Sequence, residues 1–174
     1  MPTIEYLREI LNYDPETGVI SWKVDRVNCK KGGAVSTRKR NGYLTIRLKR
    51  KNLRVHRVAF LLMTGAWPKF FIDHINGDGT DNRFCNLREA TVAQNSQNSK
   101  FRKTNTSGFK GVSWHKKGRK WRADICANRK LYHLGTFDNI EDAINAYRQA
   151  SEKLHGEFAS HKGCAIGSID NNKD

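Results

Sequence analysis

The residue types that could perform chemistry are concentrated in one stretch, Asp73 to Asn95, which reads DHINGDGTDNRFCNLREATVAQN. An acid and a histidine stand side by side at its start, and asparagines lie near its middle and at its end. Hydrolysis of a phosphodiester needs a nucleophile made from water and positive charge beside the phosphate. Mg²⁺ supplies that charge with few protein ligands, because water and phosphate oxygens complete its shell. The stretch is therefore typical of a metal-dependent nuclease.

The geometry of the acid-histidine pair is left open by the sequence. Asp73 offers a hard carboxylate, and Asn95 offers an amide oxygen if it lies on a following helix that folds back. Alternation along a strand puts His74 on the opposite side from Asp73, unless a turn or bulge rotates them. Asp-His before Asn-Gly-Asp-Gly is also compatible with a plain turn. A calcium loop is not predicted, since the required pattern of glycine and glutamate is missing.

The segments before this stretch must position it. Alternating apolar residues predict a half-buried strand from Tyr43 to Leu48, and a second strand is predicted from Leu53 to His56. A core helix follows over Val58 to Met63 and ends at Gly65. Nearer the start of the chain, we predict a short helix capped by Thr3 and a strand from Val19 to Val24. His56 is interpreted as a structural residue or a phosphate contact and not as a metal ligand.

The charge of the whole chain points to a polyanionic partner. The formal net charge is +15 and the pI is about 9.9. Between Lys23 and Arg57 there are 13 basic residues and one acid, Asp25. Such an excess favours nucleic acid as the partner, with an anionic membrane surface as the alternative. There is neither a long apolar run nor a signal peptide, so we expect a soluble, intracellular protein, in the host cytoplasm if a phage encodes it.

The four cysteines do not form a metal-binding or disulfide framework. Cys29, Cys85, Cys126 and Cys164 are far apart, and none belongs to a CxxC pair. This spacing argues against a zinc ribbon and against a small secreted disulfide scaffold. We interpret them as isolated, reduced thiols.

The motifs VHRVAF, DHINGD and NRFCNLREAT resemble those of the HNH nucleases found among phage and intron homing endonucleases. The resemblance covers about Tyr43 to Asn98. It implies a ββα-metal module in which His74 is the general base and Asn86 braces the loop behind it. It further implies that Asp73 and Asn95 bind the metal.

The resemblance leaves two assignments open. Asn98 is an alternative to Asn95 as the second metal ligand. An asparagine at that position implies Mg²⁺ or Mn²⁺ in place of a softer transition metal. Arg57 and Arg88 are candidates for contacts to DNA phosphate or for stabilising the transition state, or else they are solvated charges.

The carboxy-terminal part has a different pattern. Short strands are predicted over Val112 to Trp114, Trp121 to Ala127 and Lys130 to Leu134. A helix then begins after Asp138 or Asn139 and ends at Gly156. Between Lys100 and Lys130 there are 11 basic residues and one acid, which places the positive charge on the side of the strands.

This part resembles the Apetala-two or ethylene-response-factor DNA-binding domain in KGVSW, KWRADI, LGTF, DAINAYRQA and LHGEFA. The resemblance implies that the sheet lies in the major groove while the helix packs behind it. The DNA-binding candidates carried over are Ser113, Trp114, His115, Lys116, Arg122 and Lys130. Trp114 and Trp121 are expected either to stack on sugars or to fill the core. Ser113 and Cys126 stand where the family has arginines, so base preference is not transferred.

The sequence thus predicts an α+β protein. The predicted segments are an HNH nuclease domain with a basic β extension (1–98), a linker (99–106), a three-stranded antiparallel sheet on one helix (107–160) and a flexible tail (161–174). The predicted function is a homing-type endonuclease that nicks double-stranded DNA as a monomer, with activity rising from about pH 6 to 8. The alternatives are a non-catalytic DNA-binding regulator and an RNA-binding protein.

Overall fold

The computed structural model of the protein describes residues 1–25, 30–35, 37–38, 42–98 and 105–159. The chain divides into two compact units, Met1–Asn95 and Ser96–Asp174. Some predictions fall outside the described residues: most of the linker (99–104), the tail (161–174), Cys29 and Cys164. The same holds for six basic residues: Arg26, Lys39, Arg40, Lys100, Arg102 and Lys103.

The first unit begins with a short helix and a hairpin. Helix α1 covers Ile4–Ile10, and the Thr3 hydroxyl accepts a hydrogen bond from the backbone N–H of Tyr6, as the capping pattern predicts. Strands β1 (Leu11–Tyr13) and β2 (Ile20–Trp22) then pair in antiparallel fashion. Strand β2 lies within the strand predicted over Val19 to Val24 and is shorter, whereas β1 was not predicted.

A three-stranded antiparallel sheet follows in the order β3-β4-β5. Its strands are β3 (Thr37–Arg38), β4 (Leu44–Leu48) and β5 (Lys51–Arg54). Ile46 and Leu48 of β4 are buried and Arg47 is exposed, as the alternation predicts, but Thr45, predicted on the same face as Arg47, is buried as well. The prediction of a strand reaching His56 is wrong, because the chain turns into a helix at Val55.

Helix α2 covers Val55–Thr64 and forms the centre of the first unit. It ends at Gly65, which has a left-handed backbone (φ 84°) and donates its N–H to the Leu61 carbonyl. The buried residues Val55, Val58 and Leu61 pack with the residues of the other elements into one core. Those other residues are Leu7, Leu11, Ile20, Trp22, Val35, Ile46, Leu48 and Leu53.

The stretch from Asp73 to Asn95 forms a second hairpin and a short helix. Strands β6 (Phe71–His74) and β7 (Leu87–Ala90) pair in antiparallel fashion, and one turn of 3₁₀-helix precedes β7 over Phe84–Asn86. Helix α3 follows over Val92–Gln97. The hairpin packs on α2 through a small apolar cluster of Ala59, Ile72 and Leu87.

The second unit is a three-stranded antiparallel sheet on one helix. Strands β8 (Val112–His115), β9 (Lys120–Ala127) and β10 (Lys130–Phe137) pair in the order β10-β9-β8, and helix α4 covers Ile140–His155. The core contains Val112, Ala123, Ile125, Ala143, Ile144 and Tyr147. No helix in the described part of the chain is long and apolar enough to cross a membrane.

Candidate active site and nucleic-acid interface

Asp73 and His74 end strand β6, and both side chains are buried, with 5% and 3% of their surface exposed. In the register of the hairpin, Asp73 lies opposite Arg88 and His74 lies opposite Leu87. The two neighbours therefore meet different environments. Asp73 contacts a cation of the paired strand, whereas His74 contacts aromatic rings and an amide.

The carboxylate of Asp73 forms an ion pair with Arg88. Arg88 Nη2 lies 2.9 Å and Nε 3.0 Å from the same oxygen, Asp73 Oδ2. Only 14% of the Arg88 side chain is exposed, so each partner balances the other's charge away from water. The sequence offered Arg88 as a DNA contact, but the structure places its guanidinium on Asp73.

Arg57 also has partners within the protein. Its Nη1 donates to the Phe70 carbonyl at 3.1 Å and its Nη2 to the Pro68 carbonyl at 3.2 Å. These bonds tie α2 to the segment that leads into β6. The side chain thus fixes the start of the hairpin, where the sequence suggested a phosphate contact.

His74 is surrounded by two rings and one amide. The His56 ring stands edge-on to it at a centroid distance of 5.0 Å, and the Tyr43 ring lies at 5.7 Å. Asn82 Oδ1 is 3.4 Å from His74 Nε2. Burial lowers the pKa of His74, against the opposing effect of the Asn82 hydrogen bond and of nearby carboxylates, Asp73 first. A neutral imidazole, which can accept a proton, is therefore favoured at pH 7.

Asn86 joins the two ends of the loop between β6 and β7. Its Oδ1 accepts from the Asn76 N–H at 2.8 Å, and its Nδ2 donates to Asn76 Oδ1 at 3.0 Å and to the Asp81 carbonyl at 2.8 Å. Its own carbonyl accepts from the N–H of Ile75, the residue after His74. These are the contacts that a residue bracing the loop requires.

Asn95 and Asn98 lie at the other end of the stretch. Asn95 is on α3, half-buried, with its backbone N–H bonded to the Thr91 carbonyl at 2.9 Å. Asn98 directly follows α3 and is buried. The described residues contain no cluster of three or more His, Cys, Asp or Glu side chains suited to a metal ion. One carboxylate and one amide oxygen nevertheless fit a hard cation that keeps most of its water.

Sequence reasoning missed two neighbours of His74, which are Asn82 and Tyr43. Tyr43 was considered only as a strand residue, and Asn82 is one of several polar residues in a turn. His56 was expected to be structural, and it lies buried in the first turn of α2 against His74. The signal for all three is long-range packing, which local periodicity does not contain.

In the second unit, one face of the sheet is open and polar. Ser113 pairs with Arg122 and His115 pairs with Lys120, so these four residues lie on the face opposite the buried Ala123 and Ile125. Three of the predicted DNA contacts, Ser113, His115 and Arg122, therefore share this open face.

Arg122 is held by an acid on the open face. Its Nη2 donates to Asp124 Oδ1 at 3.0 Å, and its Nε lies 2.7 Å from Asp124 Oδ2, an ion-pair distance at which the N–H direction does not favour a hydrogen bond. His133 Nδ1 lies 2.9 Å from Asp124 Oδ1. The arginine thus has a fixed direction on the sheet.

The other three predicted contacts lie elsewhere. Trp114 is 43% exposed and meets the half-buried Trp121 edge-on at 5.1 Å, while Lys116 is exposed in the turn after β8. Lys130 pairs with the buried Ala127, which puts it on the side of α4, where its Nζ lies 5.4 Å from the Tyr132 ring. Lys130 therefore does not share the open face.

Two family models match the chain. Residues 53–97 match a model described as an HNH endonuclease, and residues 107–157 match one described as an AP2 domain. Protein 3.8 of Escherichia phage T7 is 42% identical over 96 residues, which cover 55% of this chain and 78% of that protein. The uncharacterized HNH endonuclease L560 of Acanthamoeba polyphaga mimivirus is 31% identical over 110 residues, covering 62% of this chain and 56% of that protein. No solved structure matches the chain.

Proposed function

Because this chain belongs to the HNH endonuclease family and carries an AP2 domain, we propose that it is a homing-type endonuclease that nicks double-stranded DNA. The observation that carries the proposal is the buried pair at the end of β6, an Asp73 balanced by Arg88 beside a His74 kept neutral by burial. A carboxylate ligand and an unprotonated imidazole are the two groups that metal-assisted hydrolysis of a phosphodiester requires.

Asp73 and Asn95 would hold one divalent cation, with Asn98 as the alternative to Asn95. Both donors are oxygens, so Mg²⁺ is the expected ion and Mn²⁺ is a possible substitute. When bound, the cation supplies positive charge beside the scissile phosphate. The proposed module is of the ββα-metal type, formed by β6, β7 and α3.

His74 acts as the general base. Its neutral ring accepts a proton from the water that attacks phosphorus, and Asn86 keeps the loop behind it in place. Because the pKa of His74 is lowered by burial, the base form is already complete at a lower pH than in an exposed histidine. The rise of activity with pH should therefore lie below the range of about pH 6 to 8 expected from the sequence.

The second unit would bind the target duplex through the open face of its sheet. Ser113, His115 and Arg122 lie on that face, and Lys116 lies in the adjoining turn. Trp114 pairs with Trp121 on the side of α4, so its proposed DNA contact would be made from the edge strand β8. One chain carries one such catalytic site, so a monomer nicks one strand.

The test is nicking of a supercoiled plasmid with Mg²⁺ or with EDTA. We expect open-circular product only with the metal, and a loss of about 10²- to 10⁴-fold in rate for His74→Ala with DNA binding retained. Full activity in that variant would overturn the assignment.

The same assay separates the alternatives. A site-specific band shift with no nicking under any divalent metal would identify a non-catalytic DNA-binding regulator. Single-stranded RNA that competes better than duplex DNA would identify an RNA-binding protein.

A further inference from the structure

Asn82 is the most deeply buried polar residue of the loop between β6 and β7, with 1% of its surface exposed. Its Oδ1 lies 3.4 Å from Nε2 of His74. Two buried polar groups at this distance interact without competition from water. The contact therefore bears directly on the state of the imidazole.

The orientation of the Asn82 amide follows from its other bond. The Nδ2 group donates to the Thr80 carbonyl at 3.0 Å. A reversed amide would place Oδ1 against that carbonyl, and two acceptors would face each other. Oδ1 is thus the atom that faces His74.

This orientation decides where the imidazole carries its proton. An amide oxygen can only accept, so Nε2 of His74 must be the donor. A neutral imidazole has a single N–H, and the other nitrogen, Nδ1, then has the lone pair. The His56 and Tyr43 rings pack against the imidazole at centroid distances of 5.0 and 5.7 Å.

Asn82 is itself held by the β1–β2 hairpin. The Tyr13 hydroxyl donates to the Asn82 carbonyl at 2.7 Å, and the Pro15 carbonyl accepts from the Phe84 N–H at 2.9 Å. Burial, followed by the nearby Asp14, raises the pKa of the Tyr13 hydroxyl, which therefore remains a donor. Gly18, in the same hairpin, also lies close to this loop: a Cβ on Gly18 would overlap the backbone atoms of Asn82 and Arg83.

We propose that Asn82 is a positioning residue, held in place by the β1–β2 hairpin, and that it makes Nε2 the protonated nitrogen of His74 and Nδ1 the proton-accepting one. The inference rests on the proposed function in naming His74 as the base. It extends the catalytic unit to a segment that precedes residues 53–97, the part matched by the HNH model.

The direct test is the tautomer of His74 in the full-length protein. Nitrogen-15 spectra of histidine-labelled protein at neutral pH, with His74 assigned by its loss in His74→Ala, should show the Nε2–H form. Asn82→Leu, which has similar volume and no acceptor, should show a mixture of tautomers. An Nδ1–H form in the wild type, or an unchanged tautomer in Asn82→Leu, would overturn the proposal.

Kinetics supply a second measurement with a conservative rescue. Asn82→Leu should lower kcat for nicking about 10- to 100-fold while KM and the Kd for DNA stay unchanged. Asn82→Gln keeps both the acceptor oxygen and the donor group of the amide and should recover part of the loss. Equal loss in both variants would contradict a positioning role.

Tyr13→Phe tests the hairpin without altering Asn82. Removing one hydrogen bond of ordinary strength should lower kcat about 5-fold. Tyr6→Phe, which removes the hydroxyl of the ring covered by Lys49 Nζ at 4.3 Å, is the matched control and should be unaffected. An unchanged kcat in Tyr13→Phe would refute the role of the hairpin.

The two measurements fail separately. If the wild type does not nick DNA, the proposed function is lost, and the spectra still decide the tautomer. If nicking occurs and the His74 tautomer is the same in the wild type and in Asn82→Leu, only the positioning role of Asn82 is refuted. Should Asn82→Leu not fold, as judged by its circular dichroism, Asn82→Gln and Tyr13→Phe carry the test.

Discussion

Asp73, His74 and His56 are all more than nine-tenths buried, and they differ in the polar partners that they have there. Asp73 has an ion pair with Arg88, and His74 has the Asn82 amide. Among the described residues, Nδ1 of His56 has no hydrogen-bond partner. An unpaired buried polar atom lowers stability, and such atoms are often found at functional sites.

Removing Arg88 should be costly. Arg88→Ala leaves the carboxylate of Asp73 buried without its counter-charge, so we expect the free energy of unfolding to fall by about 3 to 5 kcal/mol. Urea unfolding in EDTA measures this loss directly. Arg83→Ala is the matched control, because the Arg83 side chain in its ion pair with Asp81 is half exposed, so its loss should lower the free energy of unfolding much less. Equal losses in the two variants would contradict the burial argument.

His56 should make the protein less stable in acid. Burial, followed by the electrostatic effects of His74, Arg54 and Arg57, lowers the pKa of His56 to about 3. Between pH 3 and the ordinary value of about 6.5, the unfolded chain binds a proton that the folded chain does not. The free energy of unfolding is therefore not reduced by protonation of His56 above about pH 6.5, and it falls as the pH drops below that value.

The expected size of this effect is about 2 kcal/mol at pH 5 relative to pH 7.5. His56→Phe retains a ring but cannot titrate, so its urea midpoint should change less between the two pH values than that of the wild type. Identical pH dependence in the two proteins would show that His56 is protonated as easily when folded as when unfolded.

At the scale of elements, the candidate site depends on two hairpins. The β6–β7 hairpin carries Asp73 and His74, and the β1–β2 hairpin supports the loop that joins those strands. The contact is close where Gly18 meets the loop backbone. A substitution that displaces the β1–β2 hairpin should therefore also displace the loop between β6 and β7.

Gly18→Ala tests this coupling. Gly18 has φ 73°, and its Cβ would overlap the Arg83 nitrogen, so we expect a loss of about 1 to 3 kcal/mol in stability and a lower nicking rate. Gly65→Ala is the matched control, since Gly65 has φ 84° but open space around its Cβ. Gly65→Ala bears the same backbone strain and should also lose stability. Its nicking rate, measured where the variant is folded, should stay at the wild-type level. Equal loss of activity in both would contradict the coupling.

At the scale of the whole molecule, positive charge dominates. A net charge of +15 raises the on-rate for DNA and makes binding depend on salt. Arg88 and Arg122 have ion-pair partners within the protein, and Arg57 donates to backbone carbonyls. An exposed lysine without such a partner is therefore the simpler position at which to test a phosphate contact.

Lys116→Ala should reduce the salt dependence of DNA binding. If Lys116 contacts one phosphate, the slope of log K against log salt concentration should become shallower by about 0.9. Fluorescence anisotropy between 50 and 200 mM salt measures it. Lys153→Ala removes the same charge from an exposed position on α4 and should leave the slope unchanged. A shallower slope in both variants would indicate a non-specific effect of net charge.

Much of the fold could be predicted from local patterns. The Thr3 cap, the burial of Ile46 and Leu48 on β4, the stop at Gly65 and the helix ending at Gly156 follow from periodicity and capping, which act over a few residues. The prediction failed at His56, because Arg54 gives no side-chain cap to mark the start of α2. Four residues are too few to distinguish a strand from the first turn of a helix.

The sequence by itself determined the residue types of the candidate site and their order, since Asp73, His74, Asn86 and Asn95 form a motif within one short stretch. Only the tertiary structure decided their partners. Arg88 reaches Asp73 through the register of two strands, and Tyr13 supports Asn82 across 69 residues of chain. Register and long-range packing depend on which surfaces are buried together, and that is a property of the folded chain as a whole.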